Sequence, residues 1–188
     1  MKNIFFAGLM AAALLLFSCN DSQNENTQAA EETTETPGAG QSAVKDDESA
    51  KDVVKVAVSS PDHTTLVTAL KQADLVNSLS NAGPFTVFAP TNSAFAKLPK
   101  ETLDNLMKDK NKGQLQDILQ YHVYVGTLSV EILKSLETLN QVNGANVTIS
   151  VRDGKILLNN SATVIASIPA SNGMIHVIDA VLLPQSKK

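Results

Sequence analysis

The 188-residue chain is predicted to fold as an α+β protein, on three observations. Apolar residues recur at helical spacing as far as Leu136, alternating β-branched runs around a tight-turn dipeptide follow, and one strand, Phe85 to Ala89, lies among the helices.

In chain order, Val53, Val54, Val56 and Ala57 give a first short apolar face. Pro61-Asp62 then opens a longer helix in which Leu66, Val67, Leu70, Ala73 and Leu75 recur near the 3.6-residue period, with Asp62 as N-cap and Gly83 as stop. Phe85, Val87 and Ala89 alternate with Thr86 and Phe88 between Gly83-Pro84 and Pro90, the pattern of a strand covered on both faces. Pro90 cannot continue a central ladder, so the strand ends there. Thr91 or Asn92 caps the short helix that follows, pressed onto the core by Ala94, Phe95 and Leu98. Leu103, Leu106 and Met107 mark a further helix, Leu115, Ile118 and Leu119 another, with Gly113 separating their apolar faces.

Tyr121 to Val125 is rich in β-branched and aromatic residues, and Ser129 to Leu136 again has helical spacing with Ser129 as cap. Val147 to Val151 and Lys155 to Leu158 flank Arg152-Asp153-Gly154, a strong hairpin pattern. Strands near Ala162 to Ile168 and Met174 to Leu183 complete the chain. Asp52 to about Pro184 is long enough for one domain with a sizeable core and contains no internal repeat.

The N-terminus divides into a signal at 1–18, a lipidated cysteine and acidic tether at 19–51, and the domain at 52–188. Lys2 precedes an apolar run, Ile4 to Phe17, too short to span a bilayer comfortably, which is the pattern of a secretory signal. Leu16-Phe17-Ser18-Cys19 resembles a bacterial lipobox, although Phe17 departs from the small or β-branched residue usual there. Cys19 is the single cysteine, which excludes a disulfide framework and a multi-thiolate metal site. Directly after the signal's apolar run it reads as a lipid attachment point, of the palmitate type, the alternative being an incidental residue of an uncleaved signal. Residues 20–51 hold eight acids against Lys45 and Lys51, whereas the residues from Asp52 onward carry eleven acids against twelve bases. The acidity therefore belongs to the tether, which on its composition is expected not to order itself and to reach about 30 Å.

Three segments resemble the signatures of the fasciclin-type (FAS1) domain family. They are Phe85-Thr86-Val87-Phe88-Ala89-Pro90-Thr91-Asn92-Ser93-Ala94-Phe95, then Tyr121-His122-Val123, then Asn172-Gly173-Met174-Ile175-His176-Val177-Ile178-Asp179 through Pro184. The resemblance implies a single FAS1 domain, a wedge of β-strands packed with several helices, and makes Thr91, Asn92, His122, Asn172, Gly173 and His176 signature residues of the scaffold. It also implies a role in extracellular adhesion. In some animal members an Asp-Ile pair and the Tyr-His region are linked to receptor contact, which points to Asp117, Ile118, Tyr121 and His122 as candidate interaction residues. The second expected pair reads Ser167-Ile168, and its missing carboxylate departs from that pattern. On helical spacing alone, Asp117 reads instead as a cap or surface acid and Ile118 as a core residue.

No catalytic constellation stands out. The three imidazoles, His63, His122 and His176, are scattered, and the sequence has no Gly-x-Ser-x-Gly elbow, no His-x-x-x-His pair and no carboxylate loop for calcium. No cofactor or metal is expected. His122 has two open roles, tying backbone groups across a helix-to-strand junction or contacting a ligand directly. His176 occupies an ordinary strand position, and Asp179 is expected to bond backbone. Lys97, Lys100, Lys108, Lys110 and Lys112, mixed with Glu101, Asp104 and Asp109, form either a solvated face or a contact for an anionic polysaccharide. Nucleic acid is excluded as a partner by the overall acidity and the few aromatics.

The expected function is that of a non-catalytic binding module in a bacterial cell envelope. Its partners would be a lipid bilayer, through lipidated Cys19, and a matrix protein, polysaccharide or neighbouring cell surface. The anchoring membrane would be the outer one, with the domain periplasmic or surface-exposed. A carrier of an apolar small molecule or pigment is the alternative, and an enzyme with a dispersed site stands third.

Overall fold

The computed structural model describes residues 50–184. The signal, Cys19 and nearly all of the tether lie outside the described residues.

Helix α1, Val53–Val58, starts where the Asp52 side chain accepts the Lys55 N–H at 2.8 Å. Asp62, expected as the next N-cap, lies instead inside a 3-10 turn, Pro61–His63, and helix α2 spans Thr64–Gln72 with no cap from its own flanking residue. The single long helix expected to Leu75 is also broken. Asp74 takes φ +55°, its N–H bonds Lys71 O and the Leu75 N–H reaches back to Leu70 O at 3.0 Å. That is a Schellman stop with aspartate where glycine usually stands. Helix α3, Val76–Ser80, follows, so Gly83 is not the stop. Gly83 is required for a different reason, since a Cβ there would lie 2.0 Å from the Asn172 carbonyl oxygen.

Strand β1, Phe85–Pro90, ends at its proline as expected, and helix α4, Asn92–Ala96, is capped by Thr91 Oγ1 accepting the Ala94 N–H at 3.2 Å. Helix α5 spans Lys100–Leu106 and α6 spans Lys112–Tyr121. Gly113 is thus within the first turn of α6, and a 3-10 turn at Asp109–Asn111 separates the two helices. Tyr121 ends α6 rather than beginning a strand, and β2 is only Val123–Val125. Helix α7, Val130–Ser135, has the expected Ser129 cap, whose Oγ accepts the Ile132 N–H at 3.3 Å.

Strands β3 (Thr138–Asn140), β4 (Asn146–Arg152), β5 (Lys155–Leu158), β6 (Ala162–Ala170) and β7 (Gly173–Ile178) follow. Strand β3 has no counterpart among the strands expected from the sequence. Asp153 and Gly154 both have positive φ, 50° and 75°, as the two-residue hairpin between β4 and β5 requires. β7 is shorter than expected because Asp179 turns the chain away: its carboxylate accepts the Thr163 N–H at 2.7 Å and its carbonyl accepts from Lys97 Nζ at 2.7 Å.

The sheet order is β2-β1-β7-β6-β5-β4-β3, with the interior pair β1 and β7 parallel and the other pairs antiparallel. The two faces of β1 and β7 bury different cores. Val87, Ala89, Ile175 and Val177 join Leu66, Leu70, Phe95, Leu115 and Leu119 from the helices. Phe88 and Ile178 face the opposite way, onto Tyr121, Leu133, Val147, Ile149 and Leu158. Burying an aliphatic or aromatic side chain of this kind stabilises the fold by about 1.5–3 kcal/mol. The period-2 alternation of β1 thus fills both layers at once.

Candidate functional site

The candidate interaction residues lie on the last turn and a half of α6 and its exit into β2. Helical spacing carries Leu115, Ile118 and Leu119 into the core, and Asp117 consequently faces solvent. Ile118, Tyr121 and His122 are 8 %, 2 % and 3 % exposed. Of the four, only Asp117 presents its side chain outward.

Tyr121 and His122 are held by hydrogen bonds to their own helix and to segments brought from elsewhere. The Tyr121 hydroxyl donates to Asn146 O and accepts from Asn159 Nδ2, both at 2.9 Å, so the end of α6 is fastened to the β4–β5 layer. His122 Nδ1 lies 2.7 Å from Ile118 O, and its Nε2 accepts the Leu182 N–H at 3.0 Å. These partners require the neutral ring with the proton on Nδ1. Burial pushes the His122 pKa down to about 4, against the smaller opposing effect of the bond to Ile118 O.

Above this anchored junction, the loop 141–145 closes over α6. Asn143 Nδ2 donates to Asp117 Oδ1 at 3.2 Å, its Oδ1 accepts the Ala145 N–H at 3.1 Å, and the Val142 N–H bonds Val123 O on the outer side of β2. Val142 and, on β2, Val125 expose apolar side chains. The surface therefore combines one carboxylate, one amide and exposed valines. That composition suits contact with a macromolecule.

The other signature residues tie elements together. Asn92 Oδ1 accepts the Thr65 N–H at 3.0 Å and the Thr64 hydroxyl, while its Nδ2 donates to Pro61 O, so it caps α2 from a distance. Asn172 Oδ1 accepts the Val53 N–H at 2.9 Å, and its Nδ2 donates to Leu79 O and Asn81 O. Its neighbour Gly173 has no room for a side chain, because a Cβ would lie 1.9 Å from Phe85 O. His176 is fully buried against the Phe88 ring, with Nδ1 bonded to Ser167 Oγ and Nε2 to Leu128 O. Thr86 Oγ1 accepts the N–H of the same Leu128 and donates to Gly126 O. The link from β2 to α7 is pinned at both ends.

Thr86, Asn143 and Asn159 were not singled out from the sequence, and Ser167 was noted only for the carboxylate missing at its position. Thr86 carried a usable sign, a hydroxyl inside an otherwise apolar strand, whereas Asn143 and Asn159 meet Asp117 and Tyr121 of α6 across 26 and 38 positions, and Ser167 meets His176 across the β6–β7 turn.

Among the described residues, no three His, Cys, Asp or Glu side chains gather in a group able to hold a metal ion. No helix among them is long and apolar enough to cross a membrane. The lysines of the α4–α6 region are in part engaged: Lys112 pairs with Asp74, Lys108 donates to Asn105, and Lys97 holds Asp179 O.

Comparison with known proteins bears on the family and the fold. Protein sll1483 of Synechocystis sp. is 46 % identical over 153 residues, covering 81 % of this chain and 83 % of its own. The cell surface glycolipoprotein MPB83 of Mycobacterium bovis is 36 % identical over 144 residues, covering 73 % of this chain and 63 % of its own. A solved FAS1 domain pair from the insect cell adhesion molecule fasciclin I superimposes with a TM-score of 0.64 at 20 % identity. That match covers 71 % of this chain, which spans about half (51 %) of the domain pair. Relatives of this domain thus include a cell-surface protein, and its fold is that of the domains in a solved adhesion molecule. Residues 61–184 match the Fasciclin domain, and with the fold and these relatives this establishes that the chain belongs to the fasciclin (FAS1) domain family.

Proposed function

We propose that this chain is a lipid-anchored, non-catalytic binding module of the bacterial cell envelope, which adheres through its FAS1 domain to a matrix protein, polysaccharide or neighbouring cell surface. Cys19 is its attachment to the bilayer and residues 20–51 its spacer. The observation that carries the reading is the division of labour at the α6–β2 junction. Tyr121 and His122 spend their polar atoms on backbone and neighbouring side chains, and leave Asp117, Asn143 and Val142 as an outward surface on a fixed base. A cell-surface glycolipoprotein among the relatives supports the anchored location.

The test is adhesion of cells or beads bearing the full chain to matrix and glycan surfaces. Asp117→Ala is expected to weaken adhesion at an unchanged melting temperature, and Cys19→Ala to release the protein from the detergent phase. Full adhesion by Asp117→Ala would remove this surface from the reading. A coloured or lipid-loaded protein from the native host would favour the carrier function instead.

A further inference from the structure

Strand β6 has nine residues and two unequal edges. Toward β7 it is paired from Val164 to Ala170, whereas toward β5 only Leu157↔Thr163 and Leu158↔Ala162 are paired. Continuing that ladder would set Ile156 against Val164, but a bulge between Val164 and Ala166 turns β6 away. The two strands splay, and beyond Thr163 β6 is an open edge.

Hydrogen-bond alternation gives the chemistry of that edge. The two-residue turn Ser171-Asn172 makes Ala170↔Gly173 a bonded pair, so Ile168 and Ala166 also bond β7. The backbone N–H and C=O of Ser167 therefore point into the gap, and the C=O of Pro169 points to the same side further along the open edge. Pro169 has no N–H to leave unsatisfied, the usual placement of proline on an edge.

The gap is a cleft of about 210 Å³ lined by Val130, Ile156, Val164 and Ile165, with Lys134 and Lys155 as its charged residues. Ile165 is 58 % exposed. Neither lysine is in a direct ion pair among the described residues, although Glu131, one turn before Lys134, senses its charge. On the other face of β6, Ile168 is partly exposed beside Val56 and Ala57 of α1.

We infer that the splayed β5–β6 cleft is a strand-addition site, taking an extended acidic peptide whose backbone pairs with Ser167 and Pro169 while alternate apolar side chains enter the cleft. Unpaired backbone at an exposed apolar edge is the template for such addition. The two lysines supply charge complementarity for carboxylates on the incoming strand. The site is remote in sequence from Asp117 and rests on the binding-module reading only in assigning the domain a macromolecular partner.

The test uses the full chain in detergent and a fluorescent peptide alternating valine and threonine between glutamates. Binding is expected to slow exchange of the Ser167 amide, to weaken about tenfold or more in the Lys134→Glu/Lys155→Glu variant, and to fall with salt. The same peptide N-methylated on alternate amides should not bind. Equal binding of the N-methylated peptide, or an unprotected Ser167 amide at saturation, would overturn the proposal. So would binding of dodecanoate in the cleft without affinity for the peptide, which would assign the cleft to an acyl carboxylate. Adhesion by the lysine variant alongside loss of adhesion by Asp117→Ala would separate failure here from failure of the adhesion surface.

Discussion

The Nε2 of His122 accepts the backbone N–H of Leu182, 60 positions further along the chain, at 3.0 Å. The bond brings the segment after β7 back onto the junction of α6 and β2, where Leu182 is buried beside Tyr121 in the second core. It also fixes the protonation state of the ring, since Nε2 can accept only when unprotonated.

His122→Ala is therefore expected to destabilise the domain through an orphaned Leu182 N–H and a small cavity. The unmet donor alone costs about 1–3 kcal/mol, which lowers the melting temperature by several degrees. Binding should persist below the new transition. A variant that melts normally yet no longer adheres would give His122 a direct contact role.

Stability should also depend on pH. The His122 pKa is about 4 in the folded protein and about 6.5 in the unfolded chain, so between these values the unfolded chain binds a proton that the folded protein does not. The stabilising contribution is complete above about pH 6.5 and is lost progressively as pH falls toward 4. From pH 7.5 to 5 this amounts to about 2 kcal/mol for His122. Burial lowers the pKa of His63 and His176 as well, with the same sign. The urea midpoint of the full chain should fall over this interval, and less steeply in His122→Ala. Equal slopes would mean that His122 is not a source of the effect.

These residues also mark what the sequence could and could not reveal. The β1 strand, its proline end, the Thr91 and Ser129 caps and the Asp153-Gly154 hairpin were legible because each depends on neighbours within a few positions. The break after α2 was hidden because Asp74 holds the left-handed position without a glycine, and Asp62 looked like a cap because it follows proline. The exposed Asp117 was identifiable by helical spacing. Its partner Asn143, 26 positions away, was not, since only the folded loop brings the two together.

Thr91 and Asn92 separate two kinds of capping. Thr91 serves its own helix, whereas Asn92 serves α2 from across 27 positions. Each alanine substitution should cost about 1 kcal/mol, with different local effects. Hydrogen exchange should quicken at the Ala94 amide in Thr91→Ala and at the Thr65 amide in Asn92→Ala. Matching exchange profiles for the two variants would show that the caps act as one unit.

The sharpest contrast is expected between two glycines. A Cβ on Gly173 would lie 1.9 Å from the oxygen and 2.9 Å from the nitrogen of Phe85, where the parallel pairing of β1 and β7 begins, and neither backbone atom can swing aside. Gly173→Ala must part these central strands or shift their register, so its cost should reach or exceed the upper end of the about 1–3 kcal/mol typical of overpacking. A methyl group on Gly113, in the first turn of α6, would meet nothing within 4 Å. Gly113→Ala should be neutral or stabilising by about 0.5 kcal/mol, because alanine narrows the unfolded ensemble and favours the helix. Paired thermal melts of the two variants decide the matter: a Gly173→Ala protein that melts with the parent would mean that the β1–β7 contact is looser than its geometry requires.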